Sequence, residues 1–252
     1  MRTPFEKDML RRAELLLGDN VMQRLAEARV IIFGVGGVGS WCAESLVRTG
    51  IRHLTIVDSD RVSVTNCNRQ LMATSRTVGL VKVEALRERL LELNPAAEIT
   101  AIERFYDRST AETFHIEQYD YVIDAIDSLQ AKADLILQAT SIPTLTLFCS
   151  MGAALRLDPT KVKYTEFWKI EGDALARALR NKFKKQKTFP RHKFLCVCSD
   201  EVPMQNRSDQ ELVRDEWSDA RAQINGSLAP VTATFGMTLS SLVLQHIIAK
   251  SS

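Results

Sequence analysis

Val30-Ile31-Ile32-Phe33 runs straight into Gly34-Val35-Gly36-Gly37-Val38-Gly39. That junction leaves the chain few folds. The apolar run reads as a short buried strand. The glycines supply a sharp turn that brings backbone close to a bound phosphate, and residues 40–49 then read as a helix stopped by Gly50. Free N–H groups and the positive dipole end at such a helix start favour an anion. Leu54-Thr55-Ile56-Val57 reads as a second strand. It ends at Asp58, 19 residues after Gly39, where a carboxylate accepts ribose hydroxyls. Strand, glycine turn, helix and acidic strand end together predict an adenine nucleotide. They do not choose between NAD and ATP.

The rest of the first half repeats the pattern. Residues 59–78 are polar and irregular, and a connection this long is usually functional. Helices are expected over 81–93 and 129–140, and strands over 98–102, 121–126 and 144–148. This alternation predicts a Rossmann-like α/β fold over 29–150, a mostly parallel sheet with helices on both faces. Beyond 150 the rhythm changes: an extended segment over 161–167, a helix over 173–187 and a strand over 194–198. A polar stretch over 199–227 shows periodicity only at 209–217. A long apolar helix starts near Val231. Antiparallel strands are expected to extend the sheet in this half.

The long loop chooses the nucleotide. Asp58-Ser59-Asp60-Arg61 leads to Asn66-Cys67-Asn68-Arg69-Gln70, and Lys82 stands at the next helix start. A dehydrogenase needs a hydride site here and has no use for extra cations. A triphosphate calls for an Arg fork and a Lys point charge. Asp124-Ala125-Ile126-Asp127-Ser128 offers carboxylates at the sheet's ligand edge, where one carboxylate and the phosphates hold Mg²⁺.

These motifs (GxGGxG, DxDxVxxxNxNRQ, GxxK and DAxDS) resemble the ubiquitin-activating-enzyme-like adenylating superfamily over residues 10–250. The resemblance implies one adenylating domain over 1–252: a nucleotide-binding half, 29–150, and a substrate and dimerisation half, 151–252. It implies a homodimer with ATP over Gly34, Gly36, Gly37 and Gly39, with Asp58 holding the ribose and Asp60 also among the nucleotide-binding residues. Asn66, Arg69 and Lys82 then meet the phosphates, and Asp127 positions Mg²⁺. Arg69, Lys82 and Asp127 carry the catalytic roles. Arg12, with Arg11 beside it, matches an arginine that reaches the partner subunit's ATP.

Two features resemble the branch that dehydrates threonylcarbamoyladenosine in tRNA with ATP. The sulfur-carrier adenylyltransferases usually hold zinc with two CxxC pairs, whereas this chain has only Cys196-Val197-Cys198. Stretches 12–18, 64–70, 151–160, 173–180 and 231–236 are similar to the dehydratases. Part of that branch has a cysteine shortly before the 231–236 stretch; residues 225–230 here have none. The alternatives are an adenylyltransferase for a ubiquitin-like sulfur carrier, an NAD(P) oxidoreductase, and a non-catalytic tRNA-binding or sulfur-relay scaffold. A sulfur-relay (cysteine desulfurase) system is a further candidate partner.

A tRNA partner needs local positive charge, because 33 Lys and Arg against 31 Asp and Glu leave a net charge of only +2. Arg177, Arg180, Lys182, Lys184, Lys185, Lys187, Arg191 and Lys193 fall within 17 residues that contain no acid. Phe183 and Phe189 are interleaved with them, which suits nucleic acid. Five cysteines, scattered and odd in number, fit a reducing compartment. The first residues contain no apolar signal, so a cytoplasmic location is expected. Residues 228–249 lack any charge and are long enough to span a bilayer. Pro230, Gly236, Gln245 and His246 favour a buried or interface helix over membrane contact. Cys67 is expected to be a small buried filler. Cys196 and Cys198 are expected to face opposite sides of their strand, against joint metal binding. His53 and His246 read as structural, and His192 as part of the basic stretch.

Overall fold

The computed structural model describes residues 2–207, 213–214, 221–222 and 225–251. Seven strands form one sheet: β1 (Arg29–Phe33), β2 (His53–Val57), β3 (Glu98–Ile102), β4 (Tyr121–Asp124), β5 (Thr146–Ser150), β6 (Val162–Glu166) and β7 (Leu195–Ser199). Their spatial order is β3-β2-β1-β4-β5-β7-β6. All neighbours are parallel except β6 and β7. The antiparallel extension therefore amounts to one edge strand, β6, while β7 continues the parallel sheet. Strands β8 (Val213–Arg214) and β9 (Arg221–Ala222) form a separate antiparallel pair. Most of the expected 209–217 periodicity lies outside the described residues.

The period of two along each strand sorts the core. On β1, Val30 and Ile32 join the cluster on one face, and Ile31 and Phe33 join the other. Helices α1 (Pro4–Glu27), α2 (Gly39–Arg48), α3 (Lys82–Leu93) and α6 (Ala229–Ala249) cover the first face. Helices α4 (Leu129–Ala139) and α5 (Ala174–Gln186) cover the second. The same period corrects one expectation. Cys196 and Cys198 are two residues apart, so they share a face of β7. Both lie in the second cluster with Cys149, while Val197 points to the first. All three thiols are buried. Among the described residues no group of three potential metal-ligating side chains exists.

Helix α1 has no counterpart in the sequence reading. Its apolar stripe is weak and Gly18 (φ 76°) breaks it. Its start is well specified, with the Thr3 side chain accepting from Glu6 N at 3.2 Å and Pro4 in the first turn. Leu10, Met22 and Leu25 then bury it. Glu6 is fully buried, 3.4 Å from Arg52 Nε.

The uncharged helix α6 owes its apolarity to packing. Val231, Phe235, Leu239, Val243 and Ile247 recur at every fourth residue and are buried. It is long and apolar enough to cross a membrane, with half of its most apolar window buried inside the protein. Gly236 sets its crossing with α2. A Cβ there would collide with the Val38 carbonyl oxygen and stand 2.8 Å from Trp41 Cβ. His246 Nδ1 lies 3.0 Å from the Tyr121 hydroxyl, which agrees with a structural role.

On α2, Glu44 is nearly buried between Arg48 Nη2 (2.7 Å) and Arg89 Nε (2.6 Å) of α3. Burial raises its pKa, but the hydrogen bonds from the two guanidinium groups outweigh that, and the carboxyl sits below its ordinary value. This stabilisation is complete above the unfolded glutamate's pKa of about 4.3 and is lost as pH falls through the lower folded value.

Two outcomes are expected. Gly236→Ala forces α6 off α2 and costs about 1–3 kcal/mol, seen as a Tm lower by roughly 2–12 °C in calorimetry. Glu44→Gln is less stable than the wild type at neutral pH, and the gap closes below pH ~4 in acid-unfolding curves.

Candidate active site

The sheet order reverses direction between β1 and β4, and the C-terminal edge at such a switch point is where α/β sheets bind ligands. The loops after β1, β2 and β4 meet there. Gly34 adopts φ 85°, which a side chain would strain, and a Cβ on it would stand 2.7 Å from Ala125 O. Gly39 packs against the Gly34 carbonyl, leaving no room for any side chain. Gly36 is different: a Cβ there would meet only the Gln70 amide, at 3.7 Å. Gln70 is buried and its Oε1 has no hydrogen-bond partner. An open glycine beside an unmet acceptor suits a bound polar ligand.

Asp58 ties the turn to β2. Its Oδ2 accepts from Val35 N at 2.8 Å and its Oδ1 from Asp60 N at 2.9 Å. Burial pushes its carboxyl above the ordinary value, and Lys82 and these N–H groups offset only part of that. Lys82 is buried at the first turn of α3, with Nζ 2.6 Å from Asp60 and 4.0 Å from Asp58. The two carboxylates and the lysine thus form one ion-paired group beside the glycine turn.

Arg69 lies on the other side. Its Cγ is 3.3 Å from a Cβ built on Gly37, and its guanidinium donates to Thr65 O at 3.0 Å and Asn68 Oδ1 at 2.9 Å. Burial lowers the pKa of its guanidinium and the Asp127 carboxylate opposes that. Trp41 Nε1 of α2 donates to Arg69 O at 3.0 Å and fixes the loop to the helix. Asn66 Oδ1 is committed within its own turn, accepting from Ser63 N at 3.0 Å. Cys67 is exposed on this loop, not buried, because its turn lies at the surface.

Of the two aspartates at the end of β4 and in the loop after it, only Asp127 is exposed. Asp124 is fully buried and paired with Lys132 of α4 at 2.8 Å. It also accepts from Ile126 N at 3.1 Å. Asp124 therefore offers nothing to a ligand; it shapes the loop that carries Asp127. The sequence reading missed Lys132. A lysine amid Ala131, Ala133, Leu135 and Ile136 was the available signal, since a charge on an apolar face needs a buried partner.

Helix α5 is capped by Asp173, whose Oδ1 accepts from Ala176 N at 2.9 Å. Its Oδ2 accepts from Gly152 N at 3.1 Å and from Arg156 Nη2 at 3.3 Å. One buried carboxylate thus joins the basic helix to the loop after β5. Arg177, Lys184, Lys185, Lys187, Arg191 and Lys193 are exposed. Two basic residues and one aromatic depart from expectation. Arg180 is half-buried and spends its guanidinium on Phe167 O (3.2 Å) and Ile170 O (3.0 Å). Lys182 donates to Gln130 Oε1. Phe183 is fully buried on the apolar face of α5, so it cannot meet a base.

Comparison with known proteins places this geometry. The ThiF family model matches residues 10–252. The chain belongs to the ThiF family. Among characterised ThiF-family relatives, the tRNA threonylcarbamoyladenosine dehydratase of Escherichia coli (strain K12) is 35% identical, over 94% of this chain and 92% of its own length. The Bacillus subtilis (strain 168) enzyme of the same name is 35% identical over 92% and 90%. A crystal structure of the E. coli dehydratase in complex with ATP superposes with a TM-score of 0.87 at 33% identity, covering 99% of this chain and 98% of that one. The expected site residues do not all converge within one chain. Arg12 is exposed on α1, and among the described residues no hydrogen bond or ion pair links it to the glycine turn.

Breaking the Asp124–Lys132 pair from one side strands a buried charge. Asp124→Leu or Lys132→Met alone is expected to cost about 3–5 kcal/mol in urea unfolding, and the double variant to recover part of the loss.

Proposed function

We infer that this chain uses ATP to activate the carboxylate of threonylcarbamoyladenosine in tRNA and closes that group into a ring with loss of water. The observation that carries the reading is the end-to-end likeness to dehydratases, with a glycine turn, ribose-side carboxylates and two cations at the switch point.

A threonyl carboxylate oxygen attacks a phosphorus of ATP and expels the remaining phosphate portion. A nitrogen or oxygen of the same modification then attacks the activated carbonyl, and the phosphoryl-bearing group leaves with the former carboxylate oxygen. The nucleoside loses one water overall. The protein's part is to position and to stabilise charge. The N–H groups at the start of α2 and the turn at Gly34, Gly36, Gly37 and Gly39 take the phosphates. Asp58 and Asp60 take the ribose. Arg69, Lys82 and Asn66 meet negative charge as it shifts, which requires Lys82 to trade Asp60 for phosphate. Mg²⁺ would fit as a partner of the triphosphate, with the exposed Asp127 carboxylate offering it one hard oxygen. When bound, the ion adds phosphate charge neutralisation. No thiol is needed, and Cys149, Cys196 and Cys198 are buried.

The working unit in this reading is a homodimer in which residues 1–252 act as one adenylating domain and Arg12 completes the partner's ATP site. Leu15 and Leu16 support it: they are 79% and 83% exposed beside Arg11 and Arg12 on α1, an apolar pair suited to burial against a second copy. The basic segment 177–193 takes tRNA, its exposed charges at Arg177, Lys184, Lys185, Lys187, Arg191 and Lys193 meeting phosphate. The location is cytoplasmic, where ATP and tRNA meet. A sulfur-relay (cysteine desulfurase) system stands as a further partner, although the dehydration itself moves no sulfur.

The test is direct. Protein, ATP, Mg²⁺ and tRNA carrying threonylcarbamoyladenosine are incubated, and the nucleosides are digested and weighed. A mass loss of one water that requires ATP is expected. No change, in a preparation that binds ATP, overturns the reading and directs the assay to ubiquitin-like carriers. Arg69→Ala and Lys82→Ala should each slow turnover roughly 10- to 100-fold, the worth of a hydrogen bond between charged groups. Normal turnover in both removes the site assignment.

A further inference from the structure

We propose that Trp168 and Phe189 form a stacking site for an unpaired base of the substrate tRNA, away from the ATP end of the molecule. The proposal rests on the reading of segment 177–193 as the tRNA-binding surface.

Their rings lie 6.2 Å apart at 45° on the surface, 40% and 50% exposed. Aromatic side chains this open beside one another are unusual outside binding surfaces. Both sit on rigid supports. Trp168 occupies a short 3₁₀ turn, Phe167–Lys169, held by Phe167 N donating to Phe194 O at 3.2 Å. Phe167 itself is buried, stacked on Phe194 at 5.0 Å and crossed by Arg180 at 5.9 Å. Phe189 lies in the segment after α5, tied down by Thr188 N to Phe183 O at 3.2 Å and Arg191 N to Thr140 Oγ1 at 3.2 Å. A preset aromatic surface loses little entropy on binding.

Charge decides the occupant. Lys184, Lys185, Lys187, Arg191 and Lys193 precede and follow Phe189, and Lys169 adjoins Trp168; all six are exposed. None of them makes an ion pair among the described residues. Flat rings within unpaired cations are the elements of a single-stranded nucleic-acid site, in which bases stack and lysines follow the backbone. A protein partner would need acids over the same area and gains nothing from the ring spacing.

Topology places the site. Asp173, at the start of α5, touches the loop after β5 at the ligand edge. Phe167 and Phe194 lie before β7, at the opposite edge. The five residues of β7 separate the two edges, about 16 Å along the strand. The stacked base is therefore not the one being modified. It is a second anchor that sets how the tRNA lies along α5.

The experiment measures affinity for tRNA carrying threonylcarbamoyladenosine over a range of salt, with a fully paired RNA duplex as control. Phe189→Ala and Trp168→Leu should weaken tRNA binding roughly 5- to 100-fold each, the usual worth of one stacked base, with an unchanged salt slope. Trp168→Phe should retain most of the affinity. Duplex affinity and ATP affinity should not move, and unmoved ATP affinity also reports an intact fold. Lys184→Ala with Lys187→Ala should instead flatten the salt slope. If the lysine variants flatten the slope while the aromatic variants bind normally, stacking is overturned and the basic surface stands. If the lysine variants leave tRNA binding untouched, the basic-surface reading falls and the stacking site falls with it.

Discussion

Much of this molecule depends on one steric fact: the backbone at Gly34, Gly39 and Gly236 approaches other backbone too closely for a side chain. Gly34 lets the chain leave β1 under the carbonyl of Ala125, and Gly39 lets α2 start against the same turn. Gly236 then brings α6 down on Val38 and Trp41, just behind that start. The indole of Trp41 in turn holds Arg69 O. A tight turn, the start of α2, helix α6 and the loop that carries Arg69 are thereby placed by one packing arrangement. Hydrophobic burial stabilises it, but contact distance fixes its geometry.

Around that arrangement the charges divide into those used up and those left free. Asp124 with Lys132, and Asp173 with Arg156, are buried pairs that shape loops and offer nothing to solvent. Lys82 with Asp58 and Asp60 is intermediate, buried on the lysine side and open on the Asp60 side. Asp127 is exposed and, among the described residues, lies within salt-bridge distance of no basic side chain, although its charge acts on Arg69. The gradation runs toward the ligand edge, as expected where a charged ligand supplies the missing partners. The same sorting applies on α5, where Arg180 supports the fold and the lysines beyond it do not.

The first half of the chain could be read from the sequence because each signal there was local. A β-branched run, a glycine turn and a strand-end acid each specify their own few residues, and β3 came out with the expected bounds, Glu98–Ile102. Helix α1 could not be read, because its stability comes from docking Leu10, Met22 and Leu25 and not from its own periodicity. Sequence proximity equally could not tell Asp124 from Asp127; the partner that removes Asp124 from service is on the next helix. The cysteine error had another source. The period of two puts residues 196 and 198 together, and the mistake lay in applying it. Phe183 and Phe189 looked equivalent beside the lysines, yet only the helical face buries the first.

The sheet's outer strand β6 carries one more consequence. An edge strand presents unpaired N–H and C=O groups that can recruit another chain. Here the edge is five residues long, and Lys163 stands exposed on it, paired with Asp200 at 2.6 Å. Its antiparallel direction also sets it against the rest of the sheet, so a copy adding there would not continue the parallel array. A short, charged, reversed edge is a guard against fibrous self-association. It lets the molecule keep one side of its sheet open without that side becoming adhesive.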